Sequence, residues 1–289
     1  MKIAVIADIH GNDQALVTCL EYLKDKDIDA FFFLGDYTGE FPGIERTMET
    51  LYRLREEKEC HFIRGNKEEY QLSGLGEGHP EWDDYPSTIG MIRYGNDHLT
   101  EKDTVFFREL PIMKSVRFHD LPEIVICHGS PRKVNEKFTE DERKLEEVLA
   151  QVQADYVVCG HTHKRKKMNV GKKHIWNPGS LGASIDPPYD YRFMILHGEE
   201  GVWVPEFVSL KADEELLIRK MHEAGLYEIA PYWTKMTEHM LRGGGADTHG
   251  MLLEKAMRIC VETYGECIWP KVPEECFRKA FEEMESSSD

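Results

Sequence analysis

The feature that most restricts the fold of this chain is a repeated unit, in which a short apolar run ends in a polar cluster. The runs occupy residues 3–7, 30–34, 60–63, 124–127 and 156–159. Most are followed by a segment with apolar residues at helical spacing. Continuous apolar runs of four or five residues are typical of buried strands, and their alternation with helices predicts an α/β fold.

The polar clusters follow the carboxyl ends of the predicted strands and contain seven side chains that commonly bind metals. These side chains are Asp8, His10, Asp36, Asn66, His128, His161 and His163. Loops beyond the carboxyl ends of an open α/β sheet share one crevice, so we expect the seven residues to meet there. In an extended segment, residues two apart lie on the same side. We therefore expect Asp8 with His10, and His161 with His163, to act as pairs.

The chemistry of this set predicts a metal site. Imidazole, carboxylate and amide groups without a thiolate favour Mn, Fe, Zn, Co or Ni over Ca or Mg. One ion rarely needs seven ligands, whereas two ions about 3.5–4 Å apart, bridged by one carboxylate, would use them all. We therefore predict two divalent transition-metal ions as cofactors. The seven cysteines show no CxxC spacing, so they indicate neither a zinc ribbon nor a disulfide framework.

Composition excludes several other classes of function. The chain has 36 Lys and Arg residues against 53 Asp and Glu residues, and its net charge of −17 repels polyanions. General nucleic-acid binding is therefore not expected. No apolar run reaches the eighteen or so residues that span a bilayer, and Asp8 interrupts the apolar start before a secretory core forms. We expect a cytoplasmic protein with no membrane partner.

The chain is predicted to have two parts. Residues 1–210 form the metal-binding domain, with an insertion at about 68–111 that is rich in Gly and Pro and could overhang the site. Strand-like segments at 174–176, 191–196 and 202–210 suggest a second sheet packed on the first. From 211 to 289 helical patterns dominate. We expect this tail to pack beside the sheets or form a homo-oligomer interface, without supplying metal ligands.

The strand-end clusters, in this order and spacing, resemble the calcineurin-like metallophosphoesterase superfamily. The matching motifs are Asp8-Ile-His10, Gly35-Asp36, Gly65-Asn66, His128-Gly129 and Gly160-His161-Thr-His163. The last of these, with Asn177-Pro-Gly-Ser180, is similar to the small bacterial and archaeal phosphodiesterase branch. The resemblance covers about residues 1–210. It implies a four-layer α/β/β/α sandwich with a binuclear metal centre at one edge, joined here to a C-terminal helical appendage.

Position by position, the resemblance implies two ligand sets that share Asp36 as a bridge. One ion would be held by Asp8, His10, Asp36 and His163. The other would be held by Asp36, Asn66, His128 and His161. A metal-bound hydroxide would then attack phosphorus, so no protein nucleophile is required. The predicted activity is hydrolysis of a small phosphodiester or phosphoanhydride. Two alternatives stay open: a phosphomonoesterase, including a protein phosphatase, and a catalytically degenerate metal or nucleotide sensor.

Asn66 and His128 are also catalytic candidates, and for Lys67 and Arg132 two interpretations each stay open. Many superfamily members carry His after the Gly-Asn pair, where this chain has Lys67. An imidazole donates a proton near neutral pH, whereas a lysine with a pKa near about 10 does not. Lys67 either stabilises leaving-group charge as a cation or is a solvated lysine at a helix start. Arg132 either binds a substrate phosphate or forms a surface salt bridge.

Overall fold

The computed structural model describes residues 1–74, 82–138, 142–244 and 247–286, with only the backbone of 142–144. The insertion and the tail predicted from the sequence therefore lie partly outside the described residues. Ten strands are present in these ranges. They are β1 (Lys2–Ile6), β2 (Ala30–Phe33), β3 (Glu59–Phe62), β4 (Met113–Val116), β5 (Ile124–Cys127), β6 (Tyr156–Val158), β7 (Arg165–Val170), β8 (Lys173–Pro178), β9 (Asp190–Glu199) and β10 (Val202–Lys211).

The described ranges also contain eleven helices, five of which form the tail. They are α1 (Asp13–Leu23), α2 (Ile44–Glu57), α3 (Asn66–Leu72), α4 (Pro86–His98), α5 (Glu101–Glu109), α6 (Glu142–Leu149), α7 (Glu214–Glu223), α8 (Leu226–Ile229), α9 (Pro231–Leu241), α10 (His249–Tyr264) and α11 (Glu274–Glu285). Within the described parts of the chain, none of these helices is long and apolar enough to cross a membrane.

The strands form two five-stranded sheets, with the orders β10-β9-β1-β2-β3 and β4-β5-β6-β8-β7. Strands β1, β2 and β3 run parallel, as do β5, β6 and β8. The segments 191–196 and 202–210 were expected in a second sheet, and this expectation is wrong. They belong to β9 and β10, which extend the first sheet because β9 pairs antiparallel with β1. The second sheet is built instead around β5 and β6.

Alternation along β1 shows how the four layers arise. Ile3, Val5 and Ala7 pack into a core between the two sheets, together with side chains of β5 and β6. Ala4 and Ile6 point the opposite way, into a core shared with the helices on the outer face of the first sheet. A third core joins the outer face of the second sheet to α6. The α/β/β/α sandwich is therefore confirmed.

The helical tail packs against the sandwich. Its buried side chains, among them Met221, Met236 and Phe277, belong to the same apolar core as α1 and α2. Helices α8, α9 and α11 also contact α4 of the insertion. The tail therefore extends the helical layer over the first sheet. The domain boundary at residue 210 and self-association through the tail stay predictions.

Candidate metal centre

The predicted ligands follow strands of two facing sheets. Those that follow β1, β2 and β3 of the first sheet are Asp8, His10, Asp36 and Asn66. Those that follow β5 and β6 of the second sheet are His128, His161 and His163. Two hydrogen bonds join the strand ends across the sandwich. The backbone N–H of His161 reaches both carboxylate oxygens of Asp8 at 3.1 Å, and His128 Nδ1 lies 2.6 Å from the Leu34 carbonyl.

Most of the predicted ligands have an unusual backbone conformation. A φ between +55° and +66° is found for five of them: Asp8, His10, Asp36, His161 and His163. L-residues rarely adopt this left-handed region, although Asp, Asn and His do so more readily than others. The extended geometry expected for the Asp8–His10 and His161–His163 pairs is therefore wrong. Left-handed turns bring Asp8 Oδ1 within 3.9 Å of His10 Nε2.

Three of the imidazoles have their orientation fixed through Nδ1. His163 Nδ1 lies 2.5 Å from the Ala183 carbonyl, and His10 Nδ1 contacts the Glu40 carboxylate. His128 Nδ1 meets the Leu34 carbonyl in the same way. These oxygens only accept hydrogen bonds, so Nδ1 carries a hydrogen in each ring, and Nε2 has a lone pair whenever the ring is neutral. Histidines that bind metals are commonly held like this.

Four of the predicted ligands place their ligand atoms in one small region. Ligand atoms of Asp8, His10, Asp36 and His163 all lie within 4.8 Å of one another. His10 Nε2 and His163 Nε2 are 3.0 Å apart. One hydrogen shared between the two nitrogens accounts for this distance, and a divalent cation in its place would bind both of them. The residues of this cluster therefore fit a divalent metal ion.

A second group of ligand atoms lies on the other side of Asp36. His128 Nε2 is 3.1 Å from Asn66 Oδ1 and 3.4 Å from Asp36 Oδ1. The other oxygen of this carboxylate, Asp36 Oδ2, is 3.7 Å from His10 Nε2. The ring of His161 lies beside that of His128, with 5.2 Å between their centroids. Asp36 thus stands between two groups of predicted ligands.

Burial and close charges perturb the pKa values of these groups in opposite directions. Burial raises the pKa of Asp8 to about 7, although His128 and His10 counteract it. Burial acts on Asp36 too, but His128, His10 and Lys67 together outweigh it and lower the pKa of Asp36. Burial and the charge of His10 hold the pKa of His163 well below its usual value. A neutral imidazole at His163 is the form that binds a metal.

Glu68 is a site residue that the sequence analysis missed. It is fully buried, and its carboxylate accepts hydrogen bonds from the backbone N–H groups of Asp36 at 2.9 Å, Tyr37 at 2.8 Å and Gly65 at 2.7 Å. It therefore ties the loop after β2 to the loop after β3. The available signal was an acidic residue three positions after Gly65 at a helix start, which is the spacing of a capping box.

The two glycines of these loops are required by close backbone approach. A Cβ atom on Gly65 would lie 2.2 Å from Asp36 Oδ1 and 2.5 Å from Asp36 N. Gly35 has a φ of +85°, and a Cβ there would lie 2.5 Å from Gly65 N. The Gly35-Asp36 and Gly65-Asn66 pairs therefore pack directly against each other, which places Asp36 beside Asn66.

Comparison with known proteins agrees with this architecture. The family model of the calcineurin-like phosphoesterase superfamily domain matches residues 1–201. The chain belongs to this superfamily. An uncharacterized protein of Methanocaldococcus jannaschii is 24% identical over 250 residues, which cover 80% of this chain and 94% of that protein. Membership implies divalent metal ions, and the cluster of Asp8, His10, Asp36 and His163 is the candidate site for them.

Two solved structures share the fold of this calcineurin-like chain at 20% sequence identity. A hypothetical protein from Pyrococcus horikoshii has a TM-score of 0.69, and the match covers 81% of this chain and 97% of that one. A metallophosphoesterase from Sphaerobacter thermophilus has a TM-score of 0.62, and the match covers 82% of this chain and 100% of that one. Each match covers more than 210 residues of this chain, so each includes part of the chain beyond residue 210.

Lys67 occupies the position that is often His in the superfamily, and it is not a solvated lysine. Its side chain is 18% exposed, and Nζ donates a hydrogen bond of 2.6 Å to Glu40 Oε1. Its backbone N–H donates to Asp36 Oδ1 at 2.8 Å. Burial lowers the pKa of Lys67, but the Glu40 and Asp36 carboxylates more than offset this and raise it. Lys67 is therefore a fixed cation beside the cluster of predicted metal ligands.

Arg132 has a partner of its own in this phosphoesterase fold. Its Nε lies 3.1 Å from Glu136 Oε2, and the terminal nitrogen of the guanidinium lies 2.5 Å from Glu136 Oε1. This two-point ion pair is the surface salt bridge that the sequence allowed as an alternative. A role of Arg132 in substrate binding stays a prediction, and it would require the guanidinium to exchange Glu136 for a phosphate.

Proposed function

We propose that the chain is a dinuclear-metal phosphoesterase that hydrolyses a small phosphodiester or phosphoanhydride. The position of Asp36 supports two ions rather than one. Its Oδ2 faces His10 and its Oδ1 faces His128, which in turn lies 3.1 Å from Asn66 Oδ1. A carboxylate between two groups of ligands is suited to bridge two ions about 3.5–4 Å apart. Asn66, His128 and His161 would complete the second site.

The chain's own residues would hold the metal ligands in place and stabilise charge during the reaction. Bound divalent ions would supply an acidified water and positive charge for the phosphoryl oxygens. His128 and His163 present Nε2 because their Nδ1 atoms meet backbone carbonyls. Glu68 holds the backbone of Asp36 in place. Lys67 adds a fixed positive charge at the edge of the cluster, where it stabilises charge on a departing group.

The substrate class follows from charge and from the ligand set. A net charge of −17 disfavours long polyanions, so a small anionic ester held by the metals is the better substrate. A phosphomonoesterase would use the same metal centre and is the nearest alternative. A degenerate sensor is disfavoured because this chain has a metal-binding side chain at every position that the resemblance assigns to a ligand.

Metal analysis of the purified chain, followed by a substrate panel, tests this proposal. We expect about two Mn²⁺ ions per chain after equilibrium dialysis, and faster hydrolysis of aryl phosphodiesters or dinucleoside polyphosphates than of aryl phosphomonoesters. One ion at saturation would contradict the dinuclear centre. Faster monoester hydrolysis would instead support the phosphomonoesterase alternative, and metal binding without hydrolysis would support the sensor.

Lys67→His is expected to improve hydrolysis of esters with poor leaving groups, by up to about 100-fold, because an imidazole donates a proton to the departing oxygen. Esters with nitrophenolate leaving groups should change little, since they need no protonation. Hydrolysis rates are measured across a series of aryl and alkyl phosphodiesters at saturating Mn²⁺. The rate of Lys67→His should depend less steeply on the pKa of the leaving group than the rate of the native chain does. Lys211→His, at an exposed position, is the control. An equal change in all rates would exclude this role for the position.

A further inference from the structure

Glu40 is a buried carboxylate that three side chains from different parts of the chain contact at once. It follows β2 and is 5% exposed. Its Oε1 accepts hydrogen bonds from Lys67 Nζ at 2.6 Å and from Trp233 Nε1 at 3.3 Å. Its Oε2 contacts Nδ1 of His10, one of the predicted metal ligands. One carboxylate therefore joins the metal cluster, the start of α3 and the C-terminal tail.

The tail holds Trp233 in place from its own side. The indole lies on α9 against the ring of His249 at the start of α10, with 4.7 Å between centroids and an interplanar angle of 31°. His249 Nε2 is in turn 2.9 Å from Thr237 Oγ1. The ammonium of Lys67 lies 5.7 Å from the indole centroid, within cation–π range. The indole N–H is thus directed at Glu40 by packing within the tail.

We propose that Glu40 is a positioning residue through which the C-terminal tail sets the affinity of the metal site that contains His10. The carboxylate orients the His10 ring and strengthens Nε2 as a ligand, as acidic partners of metal-bound histidines do. Trp233 and Lys67 hold the carboxylate in the required orientation. The tail supplies no predicted ligand, yet its Trp233 donates a hydrogen bond to Glu40, which contacts the predicted ligand His10.

The two predicted metal sites differ in the groups that orient their histidines, so the proposal applies to only one of them. On the other side of Asp36, Nδ1 of His128 meets the backbone carbonyl of Leu34, whereas Nδ1 of His10 meets the Glu40 side chain. Loss of the Glu40 carboxylate should therefore weaken the ion bound through His10 and leave the ion bound through His128 nearly unchanged. A general loss of folding would weaken both ions together. This coupling rests on the dinuclear centre proposed above.

Chelator competition with Mn²⁺ on the full chain tests the coupling without reference to activity. Glu40→Gln should weaken one of the two sites by about 10- to 100-fold, the range for lost partners of metal ligands. Trp233→Phe keeps an aromatic ring but removes the indole N–H, and should weaken the same site by about 5-fold, comparable to one hydrogen bond. Tyr227→Phe is the matched control, since it removes a tail hydroxyl that bonds Glu238 instead.

Each outcome of this titration supports or overturns the proposed coupling between the tail and the metal site. Selective weakening of one site in Glu40→Gln and Trp233→Phe, with Tyr227→Phe unchanged, supports the coupling. Native affinities in both variants, or equal weakening of both sites, would overturn it while leaving the dinuclear centre intact. If Glu40→Gln fails to fold, Trp233→Phe alone gives the answer. A native chain that binds no Mn²⁺ would overturn the proposed function and this coupling with it.

Discussion

Asp36→Asn is expected to lose both metal ions and to reduce phosphoesterase activity by at least about 100-fold, as the loss of a group that stabilises the transition state does. The amide keeps the size of the side chain and, like Asp, tolerates the left-handed backbone at this position. It loses the negative charge and one of the two oxygens that face His10 and His128. His163→Ala changes only one ligand group and is expected to lose mainly one ion.

Metal content per chain after dialysis, with rates on an aryl phosphodiester, checks this expectation. Asp120→Asn is a matched control because Asp120 also has a positive φ, while its side chain is 87% exposed and remote from the predicted ligands. It should retain native metal content. Two bound ions and near-native hydrolysis in Asp36→Asn would show that Asp36 is not the bridge between the two sites.

Glu68→Gln should lower the free energy of unfolding by about 1–3 kcal/mol, because one buried acceptor is replaced by a donor. The native carboxylate accepts from three backbone N–H groups, at Asp36, Tyr37 and Gly65. The amide nitrogen of glutamine would face at least one of these N–H groups and leave it without an acceptor. Because the bonds join the loops that carry Asp36 and Asn66, metal affinity should fall as well.

Urea unfolding in the presence of a chelator measures this loss separately from any effect of metals. The neighbouring Glu69→Gln is the matched control, since the Glu69 side chain is 47% exposed. It should unfold like the native chain. Equal unfolding midpoints for Glu68→Gln and Glu69→Gln would show that the three hydrogen bonds do not stabilise the fold.

Sequence analysis predicted the strands that are buried along nearly their whole length, such as β1, β2 and β5, because such strands have continuous apolar sequences. Strands β4 and β7 were missed because they lie at the edges of the second sheet and expose much of their length, so neither has such a run. Helix α4 was missed because Gly90 and Gly95 lie within it. The assignment of β9 and β10 to a sheet failed because strand patterns carry no information about which strand pairs with which.

The predicted ligands could be picked out from the sequence because each follows a predicted strand within a few residues, and such a position can be recognised without knowing any distant contact. The residues that hold the ligands were not predictable in this way. Glu40 and Trp233 are 193 positions apart in the chain, and only packing of the tail brings them together. Glu68 carries a local capping signal, but nothing in that signal indicates that it also binds the loop after β2.

The left-handed backbone at five predicted ligands limits which amino acids can serve there, independently of which metal is bound. A residue held in this region costs about 1–3 kcal/mol unless its side chain tolerates it, and only Gly, Asn, Asp and His do so readily. Cysteine and glutamate, the usual choices for softer or larger cations, are therefore disfavoured by the main chain itself. Any redesign of metal preference at this centre would have to rebuild the loops before it exchanged the ligands.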